Sequence, residues 1–200
     1  AKFQLSNDKL FSSSSKLLLV TSLDYEYVQQ KFRPLERLRM VEFSRDWGLN
    51  LQPVPVPVDE HIIRAAAKLK DNKNHSFSYQ FTNYRRSDDY SGVQNAIQHS
   101  ANWKGWLVNN QFILTNFSGL NNKGTFLRPV IDISKELLAL NKWRLGFNYS
   151  LEKNSNRYKL NDSLNAIAAF WFDVYSAYLQ SNDAKRNRHR ITFFTRSDKY

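Results

Sequence analysis

The stretch Lys142-Trp143-Arg144-Leu145-Gly146-Phe147-Asn148-Tyr149-Ser150-Leu151-Glu152 decides the fold. Every odd position from Trp143 to Leu151 is apolar or aromatic, and every even one is polar or Gly. Successive side chains of a strand point to opposite faces, so this pattern sorts cleanly onto two faces, whereas a helix would scatter it around its circumference. A second run, His75-Ser76-Phe77-Ser78-Tyr79-Gln80-Phe81-Thr82, behaves the same way: Phe77, Tyr79 and Phe81 share one face, and Ser76, Ser78, Gln80 and Thr82 the other. Outward from these two strands, the even positions of residues 166–178 run Ala166, Ala168, Phe170, Phe172, Val174, Ser176 and Tyr178, while Asp173 falls with Tyr175 and Ala177. A charge enters one face only. A polar turn over 181–187 then leads to a returning strand over 190–196, which predicts an antiparallel hairpin.

Residues 16–28 alternate less cleanly, with Leu17, Leu19, Leu23, Tyr25 and Tyr27 opposed to Lys16, Ser22, Asp24 and Glu26. Residues 59–70 fit a helix capped by Asp59, but Ile63, Ala65, Ala67 and Leu69 also alternate with Arg64, Ala66, Lys68 and Lys70; a hairpin with the strand at 75 favours the strand. Pro53-Val54-Pro55-Val56-Pro57 cannot pair as a central strand and reads as a stiff lead-in. Residues 32–47, rich in Arg and Glu, read as a loop or short helix. The polar segments 85–92 and 153–164 read as long connections and 135–141 as a compact one. The expectation is one β-rich domain over residues 1–200, with a lead-in or loop-rich part at 1–58 and barrel-like hairpins at 59–200.

Composition narrows the function classes. Five Trp, ten Tyr and fourteen Phe stand beside only six Gly and five Pro, which suits long strands joined by polar turns. A formal charge of +11 favours anionic partner surfaces. With no Cys, disulfides, thiolate nucleophiles and thiolate metal sites are excluded. The longest apolar runs fall far short of the ~20 residues an α-helix needs to span a bilayer. His61, His75, His99 and His189 lack metal-ligand spacing, the adjacent pairs Asp59-Glu60 and Asp88-Asp89 would point to opposite faces of a strand, and no glycine-rich phosphate loop or nucleophile elbow occurs. No cofactor, metal or enzymatic activity is expected.

Two amphipathic strands reach the nine to eleven or so residues that a tilted outer-membrane strand requires, beyond the five or six of an ordinary sandwich strand. Trp143 and Tyr149 sit near opposite ends of one apolar stripe, as interfacial aromatics do. The run Ala169-Phe170-Trp171-Phe172-Asp173-Val174-Tyr175-Ser176-Ala177-Tyr178-Leu179, the turn at 182–187 and Phe193-Phe194-Thr195-Arg196-Ser197-Asp198 resemble hairpins of large outer-membrane β-barrel proteins of the Bacteroidota kind. Phe32-Arg33-Pro34-Leu35-Glu36-Arg37 and Glu42-Phe43-Ser44-Arg45-Asp46-Trp47 have the same character. The resemblance is one of style, without a signature motif, so it assigns no functional residue. Such barrels tend to end in an alternating strand with a terminal aromatic; here Arg196 and Asp198 occupy the alternate positions before Tyr200, which points to a segment of a longer barrel.

The expectation is therefore an all-β antiparallel meander forming a transmembrane β-barrel, or a segment of one, with about eight to ten strands. It would serve as a transport channel or as a translocation or assembly scaffold in a bacterial outer membrane. Phe77, Tyr79, Phe81, Trp143, Leu145, Phe147, Tyr149 and Leu151 would face lipid or lipopolysaccharide. Ser76, Ser78, Gln80, Arg144, Asn148 and Glu152 would face the lumen, and other envelope proteins are possible partners. Two alternatives stay open: a soluble β-rich binding or adhesion module, and a single-stranded nucleic-acid module using Arg85-Arg86 and the basic run 185–190 beside exposed aromatics. Specific nucleic-acid binding is not expected. If the faces are correctly assigned, Phe147→Arg lowers the assembled fraction in membranes far more than Asn148→Arg, because a midplane Arg against lipid costs about 2–4 kcal/mol. Equal assembled yields of the two variants would overturn the assignment.

Overall fold

The computed structural model describes residues 2–10, 17–31, 41–49, 58–71, 75–137, 143–161, 164–181 and 189–199. Ten strands follow one another: β1 (Lys2–Leu10), β2 (Leu18–Val28), β3 (Glu60–Lys70), β4 (Ser76–Arg86), β5 (Ser91–Trp103), β6 (Trp106–Ser118), β7 (Asn122–Leu137), β8 (Trp143–Asn161), β9 (Leu164–Ser181) and β10 (Arg190–Lys199). A short helix, α1 (Val41–Asp46), lies between β2 and β3. The strands form a single antiparallel sheet in sequence order, β1 through β10. The fold is an all-β antiparallel meander. Among the described residues no ladder joins β1 to β10, so the sheet is open.

Register fixes the faces. Leu19 pairs with Leu69, Leu69 with Phe77, Phe77 with His99, His99 with Asn110, Asn110 with Ile131, Ile131 with Tyr149 and Tyr149 with Tyr175. Directly paired residues point the same way, so the odd-numbered apolar residues of β2–β5 share a face with Trp106, Phe112, Ile131, Phe147 and Tyr175. The opposite face carries Ser76, Gln94, Thr115, Asp132, Arg144, Asn154 and their row partners. Burial differs between the two faces. Phe77 and Phe147 are 48% and 47% exposed, whereas Ser134, Arg144 and Asn154 are 1%, 7% and 4% exposed on the other face, which also buries Ile62, Tyr84, Phe117 and Phe126.

Several readings of the sequence need correction. Arg85 to Gly92 is no long connection: β4 runs to Arg86, β5 begins at Ser91, and only residues 87–90 turn between them. Likewise β8 continues to Asn161 and β9 starts at Leu164, so most of 153–164 is strand, and these two strands reach 19 and 18 residues. Their polar character misled because Lys153, Ser155 and Arg157 on one face oppose Asn154 and Asn156 on the other, leaving no apolar period to read. Lys135 to Leu137 complete β7 and Ser181 completes β9; the remainders of those two connections, 138–142 and 182–188, lie outside the described residues, as does the proline run 53–57. Residues 2–10 and 18–28 belong to the same sheet as the hairpins. The strand reading of 59–70 holds, and Asp59 caps no helix: its carboxylate accepts the Gln30 amide at 2.6 Å, and its own amide donates to the Ser87 hydroxyl at 3.0 Å. Those bonds tie both ends of the β2–β3 connection to the β4–β5 turn.

Between β5 and β6 the chain reverses in two residues, Lys104 and Gly105, at φ of 47° and 79°. Positive φ at both central positions is the primed turn whose twist matches the flanking strands, and Gly105 makes it accessible. A different glycine governs close approach. Tyr178 of β9 pairs with Gly146 of β8, and its ring lies over β8 so that its hydroxyl donates to Asp132 of β7 at 2.9 Å. A Cβ on Gly146 would lie 2.1 Å from the ring. Gly146→Ala should therefore destabilise the protein by about 1–3 kcal/mol, read from the denaturant midpoint in detergent. In a Tyr178→Ala background the same substitution should be nearly neutral, since the clash is gone. A similar penalty in both backgrounds would refute the crossing.

Candidate functional site

Three features of the sheet are candidates for function: the apolar face, the polar face with its helix, and a cationic hollow. The eight residues expected to meet lipid all lie on the apolar face, and the six expected to line a lumen all lie on the polar one. The apolar residues form a band that crosses the hydrogen-bonded rows obliquely. Tyr149 stands near the upper end of the β8 stripe, with Trp143, Leu145 and Phe147 below it, yet its row reaches β2 at Leu19, the lower end of a stripe that rises through Leu23 and Tyr25 to Tyr27. The band thus shifts by about one residue per strand, the offset expected of strands tilted against a slab by 35–45°. Trp103, Trp106 and Trp143 cluster at its lower margin, where the Lys104 and Lys135 ammonium groups sit 5.0 and 5.2 Å from the rings of Trp103 and Trp106.

One carboxylate interrupts this face. Asp173 of β9 is 1% exposed, accepts the Tyr149 hydroxyl at 3.0 Å and pairs with the Lys199 ammonium of β10. A buried acid is tolerable when paired and hydrogen-bonded. β9 is otherwise apolar on this face, from Ile167 to Leu179.

On the polar face, α1 and the turn after it are anchored by aromatics. Phe43 stacks edge-on to Tyr84 at 5.3 Å, Trp47 does the same at 5.3 Å, and Tyr90, Phe117 and Phe126 complete the cluster with Ile62. Gly92 leaves room for the indole: a Cβ there would lie 2.7 Å from the Trp47 ring. Arg128 joins the helix to the sheet by pairing with Asp46 of α1 and, at 3.2 Å, with Glu152 of β8. The Tyr90 hydroxyl donates to the Trp47 carbonyl, and burial pushes its ionisation well above the usual tyrosine range. The expected lumen residue Glu152 is thus engaged in the helix clamp, and Arg144 donates to the Ser134 hydroxyl at 3.3 Å.

The third feature escaped the sequence. Ser118 of β6, Lys123 and Thr125 of β7, and Ser155 and Arg157 of β8 border a hollow of about 360 Å³ together with Asn116. All six belong to the apolar-banded face, above the band, and short hydroxyl side chains between two long cations create the depression. Strong apolar alternation ends before these residues, so only the recurrence of Ser, Thr, Lys and Arg at every second position could have signalled it.

The histidines make local contacts: His61 pairs with the Tyr25 hydroxyl at 2.9 Å and His75 with the Asn102 carbonyl at 3.0 Å. Among the described residues no group of three His, Asp or Glu could hold a metal ion. Arg85 and Arg86 occupy opposite faces; Arg85 is exposed, while Arg86 is buried and pairs with Asp88 at 2.7 Å. The rest of the basic run, 185–188, lies outside the described residues. Comparison of the chain with protein-family models, characterised proteins and solved structures finds no match.

Tyr90→Phe should cost about 1–3 kcal/mol at neutral pH by leaving the buried Trp47 carbonyl without its donor. Because the folded-state ionisation of Tyr90 is raised, its contribution is complete below the ordinary tyrosine value near 10 and is lost as pH rises above it. The variant should lose less stability than the parent between pH 9 and 11 in denaturant titrations. Parallel loss in both would show that Tyr90 does not carry the alkaline sensitivity.

Proposed function

We propose that this chain is a segment of an outer-membrane β-barrel whose apolar band meets lipid and whose polar face lines an aqueous interior, serving the passage of solutes or the scaffolding of envelope assembly. One observation carries the reading: large apolar side chains such as Phe77, Leu145 and Phe147 are exposed on one face, while the opposite face buries polar side chains such as Thr115, Ser134, Arg144 and Asn154 beside its aromatic cluster. Water would penalise that arrangement, whereas hydrocarbon on one side and hydrated protein on the other favours it. Each interior strand is paired on both sides, with a break in the β7–β8 ladder at Arg128 and Pro129, and such lateral pairing is the requirement hydrocarbon imposes on strands. The oblique course of the band and its Trp margin suit a tilted strand array in a bilayer.

The helix α1 and the Trp47 cluster would then sit on the lumen side and narrow it. No helix among the described residues is long and apolar enough to cross a membrane. Phe77, Tyr79 and Phe81 have no Lys or Arg in their cross-strand rows on β3 or β5, which favours the bilayer reading over stacking platforms for nucleic acid.

Of the five Trp, four stand on the apolar-banded face and Trp47 on the other. After reconstitution in vesicles, a variant retaining only Trp106 should be strongly quenched by phosphatidylcholine brominated near the headgroup, and one retaining only Trp47 should not. The reconstituted chain should also resist extraction by alkaline carbonate. Release into the supernatant, with equal quenching of the two variants, would overturn the membrane reading in favour of a soluble β-rich module.

A further inference from the structure

The hollow between β6, β7 and β8 is bordered by two cations that oppose each other directly. Lys123 and Arg157 are cross-strand partners in the β7–β8 ladder, both exposed and on the same face. Like charges placed opposite one another destabilise a sheet unless an anion lies between them. Among the described residues neither side chain has an ion-pair or hydrogen-bond partner. Around them stand the hydroxyl groups of Ser118, Thr125 and Ser155, together with Asn116. The Thr125 hydroxyl donates to the Asn116 side-chain oxygen at 2.8 Å, which leaves the amide N–H groups of Asn116 for another acceptor. The same row of the sheet continues through Ser118 and Ser91 to the exposed Arg85. Directly below the hollow, Leu114 pairs with Leu127 and opens the apolar band.

We propose that this hollow binds the phosphate of an anionic lipid headgroup, with Lys123 and Arg157 as the clamp and the Ser118, Thr125 and Ser155 hydroxyls and the Asn116 amide as additional donors. The proposal rests on the bilayer reading, because a headgroup would be delivered there only if the band beneath lies in hydrocarbon. Position favours a lipid over a free anion: the acyl chains of a lipid whose phosphate fills the hollow would descend onto Leu127, Leu114 and Phe112. The charge balance favours a phosphate over a zwitterion. Lys123, Lys153, Arg157 and Arg85 all lie on this part of the face, and among the described residues of β4–β8 the same face carries no carboxylate above the band. The site also orients the chain, since it places the end of the sheet that carries the β4–β5, β6–β7 and β8–β9 turns in the leaflet richer in phosphorylated lipid.

The test uses the full chain in dodecyl maltoside, with dioctanoyl phosphatidic acid as probe and dioctanoyl phosphatidylcholine, inorganic phosphate and a single-stranded oligonucleotide as comparisons. Binding is read from the shift of the unfolding midpoint with probe concentration. Phosphatidic acid should stabilise the protein, and Lys123→Gln and Arg157→Gln should each weaken that binding about fivefold, the effect of one cation at an anionic lipid surface. Lys68→Gln, the same charge change on the opposite face, should leave it unchanged. Without the probe, either clamp variant should melt at a higher temperature than the parent because the cross-strand repulsion is relieved. That reversal of sign separates a binding role from a structural one. Binding indifferent to both clamp substitutions, or matched by inorganic phosphate or the oligonucleotide, would overturn the headgroup site. Extraction by carbonate would overturn the bilayer reading alone, since the short-chain probe reaches the hollow in detergent either way.

Discussion

A strand offers its side chains two directions only, and the rest of this molecule depends on that constraint. Once Phe77 and Tyr149 share a row, every other residue of ten strands is assigned to a face, and no local adjustment can move one without moving all. Hydrogen bonding enforces the assignment strand by strand, and the face that emerges apolar is the exposed one. Among the described residues, the buried side chains of the opposite face are polar ones such as Thr115, Ser134 and Asn154 together with an aromatic cluster gathered at one end.

Three devices keep that arrangement in register. Tyr178 spans β8 through the space that Gly146 leaves and fastens β9 to β7, so a two-residue slip of β9 would drive the ring into Arg144 or Asn148. At the other end of the sequence order, Trp47 lies over Gly92 and Arg128 clasps Asp46, holding the β2–β3 connection against strands far from it in the chain. Asp173 and Lys199 act on the remaining face, where a charged pair secures the edge strand β10 to its neighbour. Tyr178 and Trp47 each occupy the gap that a glycine leaves, which is why substitutions at the small residues are more informative than those at the large ones.

Much of the fold was legible from period alone. The runs around Phe77 and Phe147 alternate without interruption, so strand, face and antiparallel meander followed from them. What escaped were strands polar on both faces, where alternation carries no contrast: the upper half of β8 through Arg157 and the last residues of β4 at Arg85 and Arg86. The cationic hollow was invisible for a related reason. Lys123 and Arg157 are separated by a whole hairpin and become partners only through register, which no linear spacing displays. Conversely, Arg85 and Arg86 are neighbours in sequence and are placed on opposite faces by the same rule.

The Trp47 cluster has a consequence for the order of assembly. Each ladder of the meander joins strands adjacent in the chain, so loop closure is cheap and pairing can spread hairpin by hairpin. Trp47 is the exception, because the surface that receives it is built from Tyr84, Tyr90, Phe117 and Phe126. That surface exists only after β4 through β7 have paired. The helix therefore has its complete docking surface only after those strands have paired, which makes it a late latch on the sheet.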